Sequence, residues 1–326
     1  MHPAFSVIFL TTLIGVGQGL FLALVTGQVY SLANLLQPQD NLRFYAVGSG
    51  VSLVFLVLGL FASLFHLGRP ERAWRAMARW RTSWLSREVV LLPVFMLLVG
   101  LYGVFHWLGW TQPLFVVKGR IPVDATLVLG VLGAVTAFAL FGCTAMIYAG
   151  IKFIEEWHSP YTLVNFTLFG IASGFMFAAA FSAWSGADLV GFFGAWAVIF
   201  TLAAGIGRLL SIRRNARLVH KSTLETAIGI RHNRIVQRSQ GFMGGSFNTR
   251  EFFHGASPAV LRWVRRFFLF MVFVAPVLLL GAAWWLASPW IPIAAFIAQY
   301  LGLVAERWYF FAEAKHPQNL YYQSMA

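Results

Sequence analysis

The chain has 326 residues, 59% of them hydrophobic and only 11% charged, at a mean hydropathy of +0.72. Soluble domains carry about 25% charged residues, so a water-bathed globule is excluded and the bilayer has to act as solvent. The net charge of +13 does not point to nucleic acid, because the Lys and Arg sit in loops between apolar stretches, where membrane topology puts them.

A helix needs about 20 apolar residues to cross the hydrocarbon. Eight segments qualify: 5–31, 44–66, 88–109, 124–151, 161–184, 188–210, 265–287 and 290–310. The reading is therefore an all-α, polytopic membrane protein, one domain over 1–326 built as a bundle of about eight transmembrane helices. The first segment has no basic lead and is too long for the core of a cleavable signal, so it reads as a span. Gly, Pro and polar clusters separate the spans, first at Gln37–Asn41 and then around 109–122, 157–160, 185–187 and 288–289. No internal repeat or low-complexity tract is visible. The 13 Trp are in keeping with interfacial anchoring.

Two loops stand out. The basic loop 67–87 contains PERAWRAMARW, with Pro70 and Glu71 at a good helix start. A helix there places Arg72, Arg75 and Arg79 on one face and Ala73, Trp74, Met77 and Trp80 on the other. That is a short amphipathic helix lying in the interface, an anchor or a docking face for a partner. The loop 211–264 is longer and includes the stretch GFMGGSFN. Counted by side, 21 Lys and Arg fall with the two termini and three fall opposite; without the region 208–266 the ratio is still nine to three. The positive-inside rule then puts both termini in the cytoplasm.

Charges inside a membrane are costly, so each one is a functional candidate. Asp124, Asp188 and Glu306 fall near span ends, where water is close. His66 closes the second span and Glu88 opens the third, joined by the arginine-rich loop. A hydrogen-bonding His beside a proton-carrying carboxyl suits a quinone headgroup, which takes two electrons and two protons. The competing reading is that Glu88 caps its helix and pairs with an arginine. Membrane b-haem needs two axial His at similar depth, whereas His66 and His106 sit at opposite ends. The lone Cys143 cannot hold an iron–sulfur cluster, which takes about four thiolates, and reads as a small core residue. The expectation is a chain with no haem, cluster or metal of its own. A transporter would show midplane polar groups and broken helices in paired halves; here Asn165 and Cys143 stand isolated.

The segment HLGRPERAWRAMARWRTSWLSREV, residues 66–89, resembles the membrane-anchor subunit of the dimethyl sulfoxide reductase family, as does the opening MHPAFSVIFLTTLIGVGQGLFLAL. The element His-Leu-Gly-x-Pro followed by Ser-x-Glu carries most of the specificity. The resemblance implies a three-subunit enzyme: a molybdopterin catalytic subunit, an iron–sulfur subunit with four clusters, and this anchor, which binds ubiquinone or menaquinone in the inner membrane. It matches that family's quinol-site His and Glu to His66 and Glu88. Beside them, Arg87 or Arg81 is read as holding the charge of the reduced intermediate. The basic motif and the tail ERWYFFAEAKHPQNLYY are most similar to the cytoplasmic sulfite dehydrogenase branch; a dimethyl sulfoxide reductase-type quinol oxidiser is the alternative.

Overall fold

A computed structural model describes residues 1–117, 121–239, 247–286 and 288–323, without the side chains of Asn41, Ile121, Phe247 and Asn248. The long helices are α1 (Phe5–Leu32), α2 (Val47–Leu64), α3 (Trp84–Trp107), α4 (Ala125–Ala149), α5 (Pro160–Ser185) and α6 (Val190–Asn215). Between α3 and α4 lies a small antiparallel hairpin, β1 (Pro113–Val117) and β2 (Ile121–Asp124). Short helices α7 (Leu224–Ile228) and α8 (Phe247–Glu251) follow in the long loop. Then come α9 (Pro258–Leu269), α10 (Ala275–Leu286) and α11 (Trp290–Glu313). A π turn, Phe270–Val274, joins α9 and α10 into one rod of 29 residues.

Among the described residues, seven helices are long and apolar enough to span a membrane. The protein is thus a multi-pass helical membrane protein. The eighth expected span, α11, has the length, at 24 residues, but its inner turns carry Gln299, Glu306 and Arg307. Those side chains are buried within the bundle, which is why α11 is more polar than its neighbours.

Local chemistry sets the helix ends. Ser83 accepts from Ser86 N to cap α3, and Ser257 caps α9 ahead of Pro258. Both helices therefore begin several residues before the apolar runs that mark them in the sequence. Asp124 accepts from Leu127 N at 2.7 Å and caps α4. It is 4% exposed, which corrects the expectation of a water-facing end: Thr126 donates to it at 2.7 Å, Gln28 to Thr126 at 2.6 Å, and Tyr102 to Gln28 at 3.0 Å.

The core of the bundle is the contact of α1 with α5. Gly15 and Gly19 on α1 face Gly170 and Gly174 on α5, and a methyl group at Gly19 or Gly174 would land on the opposing backbone. Both pairs have the four-residue spacing that lets helices meet main chain to main chain in lipid, where packing replaces the hydrophobic driving force. Helices α2, α4, α6 and α11 surround this pair.

The amphipathic element of the basic loop is a 3-10 helix, Pro70–Arg79, with none of its side chains buried. Trp74, Met77 and Trp80 are all exposed, so it rests on the bundle edge with an unburied apolar face. The described parts of 211–264 are tied down on the side of the C-terminus. Tyr321 donates to Ala227 O at 2.9 Å, Asn319 to Phe252 O at 3.1 Å, and Arg214 to Glu155 O at 3.0 Å. Most of the GFMGGSFN stretch, 241–246, lies outside the described residues.

Candidate functional site

Glu88 sits one turn inside α3, not at its opening. Starting the helix at Trp84 turns this side chain into the bundle, where it is 8% exposed. Its carboxylate accepts a hydrogen bond from Thr144 on α4, and no cation among the described residues pairs with it. The helix cap is Ser83, so neither part of the capping-and-pairing reading describes the geometry. Glu88 lines an internal cavity with Thr11, Thr12, Gln18, Thr144 and Arg307 as its other polar neighbours. The free space there, about 20 Å³, is room for a water molecule and too little for a quinone ring. In this arrangement the carboxyl can exchange protons, and a ring has to dock outside it.

His66 lies two residues past α2 and is exposed, and the structure does not bring it into the Glu88 cavity. Arg87 folds back over the loop, donating to Trp80 O at 3.0 Å and Arg81 O at 2.8 Å, with its guanidinium 4.1 Å from the Trp84 ring. Arg81 is exposed beside Trp80. His66, Arg81 and Arg87 thus belong to the outer rim formed by the 3-10 loop, and Glu88 belongs to the interior.

The structure also holds a charged cluster that hydropathy hides. Arg208 and Glu306 pair at 2.8 Å with side chains 2% and 1% exposed. Glu313 lies 3.7 Å from Arg208, and Arg307 lies 3.5 Å from Glu306 with its guanidinium 3.7 Å from the Phe166 ring. Glu306 is therefore not near water, and Arg208 and Arg307 are not loop charges of the kind the topology count assumes. Asn165 is not isolated either: it lines the cavity this cluster surrounds. The signal that could have found the group is spacing. Glu306, Arg307, Phe310 and Glu313 recur at three- and four-residue intervals on one helix, facing the bundle. Cys143 is buried, as read from the sequence.

Residues 1–283 match the profile of the family described as DMSO reductase anchor subunit (DmsC). Over all 326 residues, covering 100% of both proteins, the sequence is 62% identical to the C subunit of sulfite dehydrogenase from Allochromatium vinosum. More distantly, it is 27% identical over 184 residues to the C subunit of anaerobic dimethyl sulfoxide reductase from Escherichia coli K12, covering 53% of this sequence and 58% of that one. To the corresponding subunit of Haemophilus influenzae it is 28% identical over 124 residues, 38% of this sequence and 40% of the relative.

Proposed function

The chain belongs to the DMSO reductase anchor subunit family, and from that premise we propose that it is the quinone-binding membrane anchor of a molybdopterin and iron–sulfur oxidoreductase engaged in sulfite oxidation. The full-length identity with the C subunit of a sulfite dehydrogenase supports the substrate assignment. The partners are a molybdopterin catalytic subunit and an iron–sulfur subunit with four clusters, and electrons pass between that subunit and ubiquinone or menaquinone. The anchor lies in the inner membrane with both termini cytoplasmic. Its basic face, the 3-10 helix Pro70–Arg79 with the loop 211–264, receives the iron–sulfur subunit. This puts the quinone rim and the last cluster on one side, as steeply distance-dependent electron transfer requires.

The observation that carries the reading is Glu88: a carboxyl buried in the bundle, held by one hydroxyl, unpaired by any described cation, on the wall of a water-sized cavity. A quinone supplies two carbonyl oxygens that exchange protons as it is reduced or reformed. His66 on the rim donates a hydrogen bond to one of them, Arg87 or Arg81 balances negative charge, and Glu88 moves protons from within.

The test is quinone-linked turnover per assembled complex. Glu88→Gln keeps the side chain's shape and leaves dye-linked activity of the soluble subunits intact. Quinone turnover should fall roughly 100-fold, as for loss of a positioned acid–base group. His66→Ala should raise the quinone concentration needed for half-maximal rate. Native quinone turnover in Glu88→Gln sinks the proton role.

A further inference from the structure

We propose that the charged cluster encloses a proton path leading from Glu88 to the basic face, with Glu156 as its outer proton-exchanging carboxyl and His220 at its mouth. The inference rests on the quinone reading above and concerns where its protons come from.

Two cavities lie side by side, and Phe166 and Arg307 line both. The inner one holds Glu88. The outer one, with about 10 Å³ of free space, is again on the scale of a single water. Three carboxyls, Glu156, Glu306 and Glu313, face two guanidiniums, Arg208 and Arg307, around it. One acid therefore lacks a cation of its own. Geometry identifies which. Glu306 is gripped by both arginines and Glu313 leans on Arg208. Glu156, with its side chain 6% exposed, has among the described residues no arginine or lysine within ion-pair distance and meets the ring of His220, at 3.7 Å. Its Oε2 is buried and finds no hydrogen-bond partner among the described residues, and neither does Oδ1 of Asn165 on the same wall. His220 is 36% exposed and opens to the side of the loop 211–264. The Met1 amine and the carboxyl of Glu313 lie within electrostatic reach of Glu156.

Each quinone that gains two electrons from the iron–sulfur subunit takes up two protons, and each quinol oxidised returns two. Hydrocarbon does not conduct protons, so Glu88 must be recharged or discharged through polar groups. Glu88 gives a proton to the quinone oxygen and recovers one from water in the inner cavity. That water is replenished from the outer cavity, and Glu156 restores the balance from bulk solvent past His220. Quinol oxidation runs the same steps backwards. Arg307, stacked on Phe166 between the cavities, orients water.

The experiment uses the assembled complex with a short-chain ubiquinone or menaquinone analogue, comparing turnover in H₂O and D₂O. Glu156→Gln should slow quinone turnover by an order of magnitude, raise the solvent isotope effect, and leave dye-linked activity unchanged. Glu156→Asp should restore most of the rate, and His220→Leu should fall between. Native turnover and isotope effect in Glu156→Gln, with Glu88→Gln slow, overturns the path and leaves the quinone reading standing. Native behaviour in both variants overturns the quinone reading as well. A slow Glu156→Gln with a native isotope effect is a packing defect and overturns the path. If Glu156→Gln fails to assemble, His220→Leu, a rim change without a folding burden, decides by the same two readouts.

Discussion

Glu88 and Glu306 are carboxylates of the same bundle, both nearly sealed from solvent, and their surroundings differ. Glu306 touches two guanidiniums, one at 2.8 Å and one at 3.5 Å. Glu88 has one hydroxyl and a cavity. Removing an ion from water costs several kcal/mol, and a close opposite charge can offset that cost. The gripped acid ties α11 to α6. Glu88 has no such offsetting charge among the described residues. Burial alone does not distinguish the two carboxylates; the partner set does.

The largest expected effect breaks the gripped side. Arg208→Ala leaves Glu306 with Arg307 alone and strips Glu313 of its cation. Breaking a buried pair costs about 3–5 kcal/mol, so thermal unfolding in detergent should drop sharply and little complex should assemble. Thr144→Val is the milder change on the other side. It removes the hydroxyl that holds Glu88 and should lower stability by about 1–3 kcal/mol, with quinone turnover per complex altered a few-fold. A Thr144→Val protein less stable than Arg208→Ala would reverse the comparison.

Part of this was legible from sequence. Hydropathy located the helices because twenty apolar residues have few other uses, and the motif from His66 to Val89 pointed to Glu88. Hydropathy could not tell that Glu306, Arg307 and Arg208 face inward, since a charge near a span end looks the same whether water or another helix lies beside it. It likewise treated 109–122 as a plain break, where the short run PLFVV pairs with IPVD as the β1–β2 hairpin. Nor could it separate His66 from the cavity that holds Glu88, because that depends on α3 starting at Trp84 and not at its first apolar run.

The smallest effect concerns the tail. His316 stacks on Phe252 with ring centroids 3.7 Å apart, and its Nδ1 accepts from Gln318 N at 3.2 Å. Burial, with the Met1 amine nearby, holds its pKa below the ordinary value. The folded protein then binds fewer protons than the unfolded chain. This contribution is intact above about pH 6.5 and is lost as pH falls through the lowered value. His316→Phe should flatten the acid limb of a melting-temperature profile between pH 7.5 and 5. His254 and the Met1 amine shift the same way, so the limb should shrink without vanishing. An unchanged profile would free the tail from any part in pH sensitivity.

The glycine seam between α1 and α5 has a consequence for biogenesis. The two surfaces that need each other most are separated by α2, α3 and α4, so while the ribosome is still making those helices the seam of α1 has no mate. Lipid or a neighbouring helix must cover Gly15 and Gly19 until α5 enters the membrane, and the native centre closes only then. Nascent chains released before Gly174 should stay open to protease and to insertion chaperones, and slightly longer ones should become resistant in a single step.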